Sequence, residues 1–141
     1  MDRQGSEKRV RVAAAVIKRD GKILAARRKE GEGFARMWEF PGGKLEPGES
    51  LEECLRRELR EELDVAADVG ELLFISLHDY DSLKVEIHAF SVCRLEGEPK
   101  LRAHEEMAWI EPREFGRYPF LEADIPILKH IAERFESLCS V

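Results

Sequence analysis

Between Gly43 and Val65 the chain reads as a glycine, five residues, Glu49, seven residues, Arg57-Glu58-Leu59, one residue, Glu61-Glu62, one residue and Asp64-Val65. This stretch dictates a tight turn followed by a capped helix. In Glu46-Pro47-Gly48-Glu49 the proline is preset for the second place of a turn, and the glycine is free to take positive φ at the third. Ser50 with Glu53 three residues on makes a reciprocal capping box, so the sequence predicts a helix from near Leu51 to about Leu63.

At helical spacing Leu51, Leu55, Leu59 and Leu63 form one apolar stripe, and Glu58, Glu61 and Glu62 fill the adjoining arc on the Cys54 side. Glu52 with Arg56 and Glu53 with Arg57 can pair on the far, solvated side. Glu58 meets like charges at both i+3 and i+4, which mildly destabilises an isolated helix and becomes sensible once a divalent cation sits among the carboxylates. Hard oxygen donors at this density suit magnesium, with manganese as a substitute, and leave room for phosphate oxygens and water. A merely charged surface helix would need turn, cap, arginine and acid spacing to agree by accident.

The segment resembles the Nudix box, Gly-x5-Glu-x7-Arg-Glu-U-x-Glu-Glu-x-Gly-U, where U is a bulky aliphatic residue, and departs from it at one position. Asp64 stands where the family has glycine. That is the helix C-terminus, where a left-handed backbone is easiest for Gly and next easiest for Asn or Asp, so the expectation is a small stability cost and no lost ligand.

A chain of 141 residues, 43% of them hydrophobic, can bury one substantial core. The expected organisation is a flexible tail over residues 1–9 and a single domain over 10–141. A net charge of -6 disfavours duplex nucleic acid and anionic membranes, whose binding is driven by Lys and Arg. Cys54, Cys93 and Cys139 are odd in number and match no metal pattern, so they read as reduced, packed cysteines of a cytoplasmic protein. Met1 to Arg9 contains no apolar signal region, and no stretch is long enough to cross a bilayer.

Elsewhere Val10 to Lys18 and Lys22 to Arg28 read as strands around an Asp20-Gly21 hairpin turn, and Lys29 to Arg36 as a mobile loop. Met37 to Phe40 reads as a short strand stopped by Pro41-Gly42-Gly43. Glu71 to Tyr80, Leu83 to Leu95 and Met107 to Ile110 are further strands. Ile125, Leu128, Ile131, Ala132 and Phe135 predict a closing helix of about ten to fourteen residues after Pro126. The fold class is α/β, layered, with a mixed sheet.

The resemblance reaches past the box. Trp38-Glu39-Phe40-Pro41-Gly42-Gly43-Lys44 and Ala123-Asp124-Ile125-Pro126 are similar to segments of MutT-type nucleoside triphosphate pyrophosphohydrolases, and the likeness spans roughly residues 10 to 135. It implies the α/β/α Nudix sandwich and magnesium-dependent hydrolysis of nucleoside triphosphates to monophosphate and pyrophosphate. It also implies a small-molecule substrate and a monomer or homodimer. Oxidised dGTP, cleared from the nucleotide pool to spare DNA repair, leads the candidate substrates, with CTP or a modified pyrimidine triphosphate as the alternative; a non-catalytic nucleotide-binding module on the same fold is the third reading. By the same resemblance Glu58, Glu61 and Glu62 are metal ligands with the Gly42 carbonyl, and Glu62 foremost. Arg57 holds the acids, Glu49 is a supporting or base residue, and Glu105 is the additional acid with Glu106 behind it. Arg28, Glu39, Phe40 and Asp124 belong to substrate binding. An ionised Asp124 only accepts hydrogen bonds, unlike Asn, so guanine and cytosine substrates both stay open. Phe34, Phe74, His78 and Tyr80 are aromatic groups able to stack, with packing the commoner use. Trp38 and Trp109 are assigned to core support, and His88 and His130 to structural or exposed places without a partner.

Overall fold

The computed structural model describes residues 9–139. The expected tail therefore lies outside the described residues apart from Arg9, which already begins the first strand, β1 (Arg9–Arg19). Next come β2 (Lys22–Arg27), β3 (Trp38–Glu39), β4 (Gly42–Lys44), α1 (Leu51–Leu63), β5 (Ala66–Tyr80), β6 (Leu83–Glu96) and β7 (Glu106–Ile110). A 3₁₀ segment at Pro112–Arg117, another at Glu122–Asp124, α2 (Ile125–Glu133) and a last 3₁₀ turn at Phe135–Ser137 complete the chain.

The strands lie in the order β3-β2-β1-β6-β5, with β4 paired to β1 and β7 to β2. Only β1 and β6 run parallel; the other pairings are antiparallel, so the sheet is mixed as its pattern predicts. A strand parallel to its neighbour and covered on both faces needs a continuous apolar run, which Ala13 to Ile17 supplies. Ala13, Ala15 and Ile17 face α1 together with Leu55, Leu59, Leu63, Phe90 and Val92. Ala14 and Val16 face the other way, toward Ile127, Leu128 and Ile131 of α2. These two cores make the α/β/α sandwich. Leu55, Leu59 and Leu63 are wholly buried, and each contributes about 1.5–3 kcal/mol by apolar burial.

Four expectations need correction. Gly42-Gly43 does not merely stop a strand: it forms β4, laid so close to β1 that a Cβ on Gly42 would collide with the Ala13 carbonyl oxygen. The strand expected from Glu71 begins at Ala66, and its pairing with β6 continues through register shifts between Asp68 and Phe74. The closing helix spans nine residues, with Pro126 inside its first turn, before the chain tightens into the 3₁₀ turn that still buries Phe135.

The last correction concerns the cysteines. Cys93 and Cys139 form a disulfide, their Cα atoms 5.5 Å apart. Their separation of 46 residues hid the pairing, which arises because the C-terminal segment folds back over β6 and is clamped there by the Lys18 ammonium, donating to the carbonyls of Phe135 (2.7 Å) and Leu138 (2.9 Å). The cysteine argument for a reducing compartment falls with it, whereas Cys54 is free and buried as expected. Among the described residues no helix is long and apolar enough to cross a membrane.

Candidate active site

The site starts from the cap of α1. Ser50 Oγ accepts from the Glu53 N–H at 3.0 Å, and Glu53 Oε1 accepts from the Ser50 N–H at 2.9 Å, the reciprocal pair its sequence calls for. At the other end Asp64 takes the left-handed conformation, φ 58° and ψ 43°. Its carboxylate accepts from Lys100 Nζ at 3.1 Å and lies 3.7 Å from Arg102, contacts a glycine could not make; Lys100 is the first cause of its lowered pKa.

Arg57 is the organiser of the helix face. Its Nε and Nη2 donate to the two oxygens of Glu49 at 2.6 and 3.0 Å, a bidentate fork, and Nη1 donates to Glu58 at 2.8 Å. The same guanidinium reaches Glu61 at 3.5 Å and the Lys44 carbonyl at 3.2 Å, so the helix, the turn before it and β4 are fixed to one another. Those hydrogen bonds, with a further one from the Glu46 N–H, pull the Glu49 pKa down to about 2. Gly43 has no side chain where Glu58 lies; a Cβ there would collide with the Glu58 carboxyl.

Glu62 is in a different condition. It is turned toward β4, accepting from the Gly42 N–H at 3.3 Å, and burial, then the negative charges of Glu58 and Glu39, push its pKa far above the ordinary carboxylate range. A proton relieves that crowding in the free protein, and a divalent cation is the group whose charge would relieve it best. The donors present are all hard oxygens, and so fit magnesium or manganese. Among the described residues no three such side chains already surround one point as a cage. That is the usual state of a magnesium site, which borrows ligands from water and from substrate phosphates.

A second cluster lies at the ends of β2 and β3. Glu39 Oε1 accepts from Arg28 Nη1 at 3.1 Å, its Oε2 pairs with His104 Nε2 at 2.9 Å, and Arg28 Nε donates to the Gly33 carbonyl at 2.7 Å. Asp124 is 3% exposed; its Oδ2 accepts from the Phe40 N–H at 3.3 Å. Burial, then the charge of Glu39, raises its pKa well above the ordinary value. The turn carrying it is pinned from β5 on both sides of one peptide residue: Tyr80 Oη accepts from the Ala123 N–H at 3.0 Å and Ser76 Oγ donates to the Ala123 carbonyl at 2.7 Å. Phe34 and His78 rings lie 4.7 and 4.5 Å from Tyr80, at the edge of a cleft of about 400 Å³ lined also by Asp79 to Leu83 and Glu122.

The structure thus brings Glu49, Arg57, Glu58, Glu61, Glu62 and Gly42 together at one end, and Arg28, Glu39, Phe40 and Asp124 at the other. Glu39 joins the two, since its charge acts on both Glu62 and Asp124. Glu105 stands apart from the box acids, held by Arg27 at 2.7 Å and Arg36 at 2.8 Å, with Glu106 on Arg27 at 3.1 Å. Phe74 does not join Tyr80 but packs on His130, 4.9 Å between rings. His88 and His130 have partners after all, Glu86 at 2.6 Å and Arg134 at 3.2 Å. Trp38 is buried in the core, and Trp109 carries the Arg19 guanidinium 4.3 Å over its ring. Sequence reading missed His104, Ser76 and the tie made by Tyr80; the signal for Ser76 was a lone hydroxyl alternating with Phe74 and His78 on one face of a strand.

Residues 7–131 match the NUDIX domain family. The chain is 42% identical over 122 residues to the CTP pyrophosphohydrolase of Escherichia coli strain K12, covering 86% of this chain and 90% of that protein. It is 35% identical over 116 residues to the 8-oxo-dGTP diphosphatase of Haemophilus influenzae, covering 80% and 85%. The solution structure of the E. coli ORF135 protein superposes with a TM-score of 0.85 at 38% identity, over 99% of this chain and 100% of that one.

Proposed function

The chain belongs to the NUDIX family and is a hydrolase of phosphoric anhydrides that needs a divalent metal, and on that premise we propose that it cleaves nucleoside triphosphates to monophosphate and pyrophosphate with magnesium. The observation that supports the site assignment is Glu62, turned toward β4 with its carboxyl accepting from the Gly42 N–H at 3.3 Å, its pKa raised first by burial and then by the charges of Glu58 and Glu39, beside acids already aligned by Arg57.

In this reading Glu58, Glu61 and Glu62, with the Gly42 carbonyl, hold the cation. When bound, the cation neutralises charge developing on phosphate oxygens and keeps the reacting phosphorus in line. Arg57 bridges Glu49 and Glu58 and offsets the repulsion between the two carboxylates. Glu49, with its pKa near 2, is too weak a base to take a proton from water at neutral pH, so its work is to orient Arg57. Glu105 orients the water. Because Glu105 stands apart from the box acids, that role requires its release from Arg36, the more exposed of its partners at 51% against 24% for Arg27.

The base is read by Asp124 and the aromatic edge. Burial, then the charge of Glu39, favours its protonated form, in which the carboxyl offers one O–H donor beside one acceptor. Oxidised guanine presents the complement on its Hoogsteen edge, a carbonyl beside an N7–H; ordinary guanine presents two acceptors on that edge and meets the pair only through N1–H and O6 on its Watson–Crick edge, so in this reading the Hoogsteen edge faces Asp124. Cytosine, with its N4 amino donor beside the N3 acceptor, satisfies the same pair. We therefore assign oxidised dGTP as substrate, and keep CTP or a modified pyrimidine triphosphate as a second reading on the strength of the 42% identity to a CTP pyrophosphohydrolase.

A competition of oxidised dGTP, dGTP, CTP and their methylated forms, scored as ratios of kcat/KM for pyrophosphate release, tests this directly. Preference for oxidised dGTP or for CTP over dGTP supports the reading. A flat profile refutes the base assignment, and absence of metal-dependent pyrophosphate release refutes the activity.

A further inference from the structure

We propose that His104 is a positioning residue for the base end of the site, fixing the Glu39 carboxylate and, through Glu39, the Arg28 guanidinium that meets the nucleotide. The inference rests on the substrate-binding assignment above and goes beyond it by naming what keeps Arg28 and Glu39 in place. Glu39 has two oxygens and each has one partner: Arg28 Nη1 at 3.1 Å on Oε1, His104 Nε2 at 2.9 Å on Oε2.

The imidazole is 6% exposed, yet its Nδ1 is buried without a partner among the described residues. An unpaired buried ring nitrogen carries a desolvation penalty that a leucine of similar bulk would not. Packing alone would therefore select against histidine here, and the contact that compensates is the one to Glu39. The backbone around it is stitched to β2. The Glu105 N–H donates to the Arg27 carbonyl at 2.8 Å, and the Arg27 guanidinium holds Glu105 and Glu106 at 2.7 and 3.1 Å. Arg27 is the neighbour of Arg28, so the end of β2, β3 and the connection into β7 meet at Glu39. Without the imidazole, one Glu39 oxygen loses the side-chain partner it has among the described residues, and the carboxylate turns about Arg28, taking the guanidinium with it.

Loss of position at a substrate contact weakens binding more than chemistry. In the full-length enzyme His104→Leu should raise KM for its triphosphate about tenfold or more and leave kcat within about threefold. His104→Gln, whose amide can donate near the place of Nε2, should recover most of that loss. In a Glu39→Gln background His104→Leu should add nothing further. Equal defects in the Leu and Gln variants, effects that multiply with Glu39→Gln, or a fall in kcat at constant KM would each overturn the proposal. If the Leu variant does not fold, a Gln variant with wild-type KM and base preference supports it, and one as impaired as Glu39→Gln overturns it. A readout independent of turnover is the ¹⁵N spectrum of the His104 ring. Its Nε2 resonance should move in Glu39→Gln and stay in Glu49→Gln; a resonance that ignores Glu39 sinks the proposal even if hydrolysis is confirmed, and one that follows Glu39 upholds it even if the substrate proves different.

Discussion

The phosphate end and the base end of this site are built by opposite means. At the phosphate end a single guanidinium, Arg57, gathers Glu49, Glu58 and Glu61 within one helix and the turn before it, and the acids stay partly wet. At the base end Arg28, Glu39, His104 and Asp124 come from four separate segments; His104 and Asp124 are buried, Arg28 and Glu39 are half-buried like Glu49 and Glu58 of the phosphate end, and the polar groups are matched almost one to one. A cluster tuned for a dication can be written in one stretch of chain because its partner arrives with the substrate. A buried reader of a base has to be closed by the fold itself.

Glu62 offers the largest effect that could break this contrast. Glu62→Gln should lower turnover roughly 10³-fold, since it removes a charge at the place where phosphate charge develops. The same change should raise the melting temperature of the metal-free protein at neutral pH. The sign follows from linkage: a carboxyl whose folded pKa is raised above its unfolded value binds the extra proton in the native state, so stability falls as pH rises from the unfolded pKa toward the folded one. Glutamine removes that fall. Thermal melts with chelator across pH 4 to 9 check it, and a variant less stable than wild type throughout would mean that Glu62 is satisfied in the free protein.

Arg57→Lys comes next, at about 10–100-fold in kcat/KM, because an ammonium cannot fork to both Glu49 oxygens while reaching Glu58. In the same variant the Glu49 pKa should return toward its ordinary value. In the wild type the depressed Glu49 pKa contributes stability that is full above its unfolded value and lost as pH falls toward about 2. The acid limb of the unfolding curve should therefore lie higher in pH for Arg57→Lys. An unchanged limb would assign the Glu49 shift to its backbone partner instead.

Asp124→Asn probes the base end, where the expected change is severalfold and lies in the pH dependence. Asn presents the donor and acceptor of a neutral carboxyl, so the ranking of oxidised dGTP over dGTP should persist at neutral pH. As pH rises through the raised pKa the wild-type carboxyl loses its donor and the ratio should fall, whereas in the variant it should stay level. Two parallel profiles would remove Asp124 from contact with the base.

The same contrast explains what sequence could disclose. The helix Leu51–Leu63, its cap at Ser50 and the hairpin at Asp20-Gly21 are local: capping partners sit three residues apart, and the left-handed Asp20 and Gly21 belong to one dipeptide. Both cores follow from the alternation in Ala13 to Ile17 and the leucine stripe. Nothing local announces that His104 will meet Glu39 across 65 residues, that Ser76 will hold the carbonyl before Asp124, or that Cys139 will return to Cys93. These pairings depend on how strands are ordered, and Gly42 to Lys44 shows the same limit, since a glycine-rich stop becomes a strand only because β1 lies beside it, close enough that Gly42 has no room for a Cβ.

The smallest effect belongs to Asp64, the position where this chain departs from the family box. Glycine would enter the left-handed conformation, φ 58°, more easily than aspartate does, which favours the variant Asp64→Gly. It would also delete the carboxylate that Lys100 and Arg102 hold, and with it the tie between the end of α1 and the segment leading to His104. Both of those partners are more than half exposed, at 65% and 51%, so solvent screens the pairs and neither opposing effect dominates. The expected net change in melting temperature is under about 4 °C at low salt. Added salt should weaken the wild type slightly and the variant hardly at all, so the difference should move in favour of glycine as ionic strength rises. Activity should follow neither change, because the Lys100 N–H still donates to the Leu63 carbonyl at 2.9 Å and keeps the segment registered on the helix. A large loss of kcat/KM in Asp64→Gly would show instead that the charged tie, and not the backbone bond, delivers His104 and Glu105 to the site, and the division between a helix-encoded phosphate end and a fold-encoded base end would lose its sharpness.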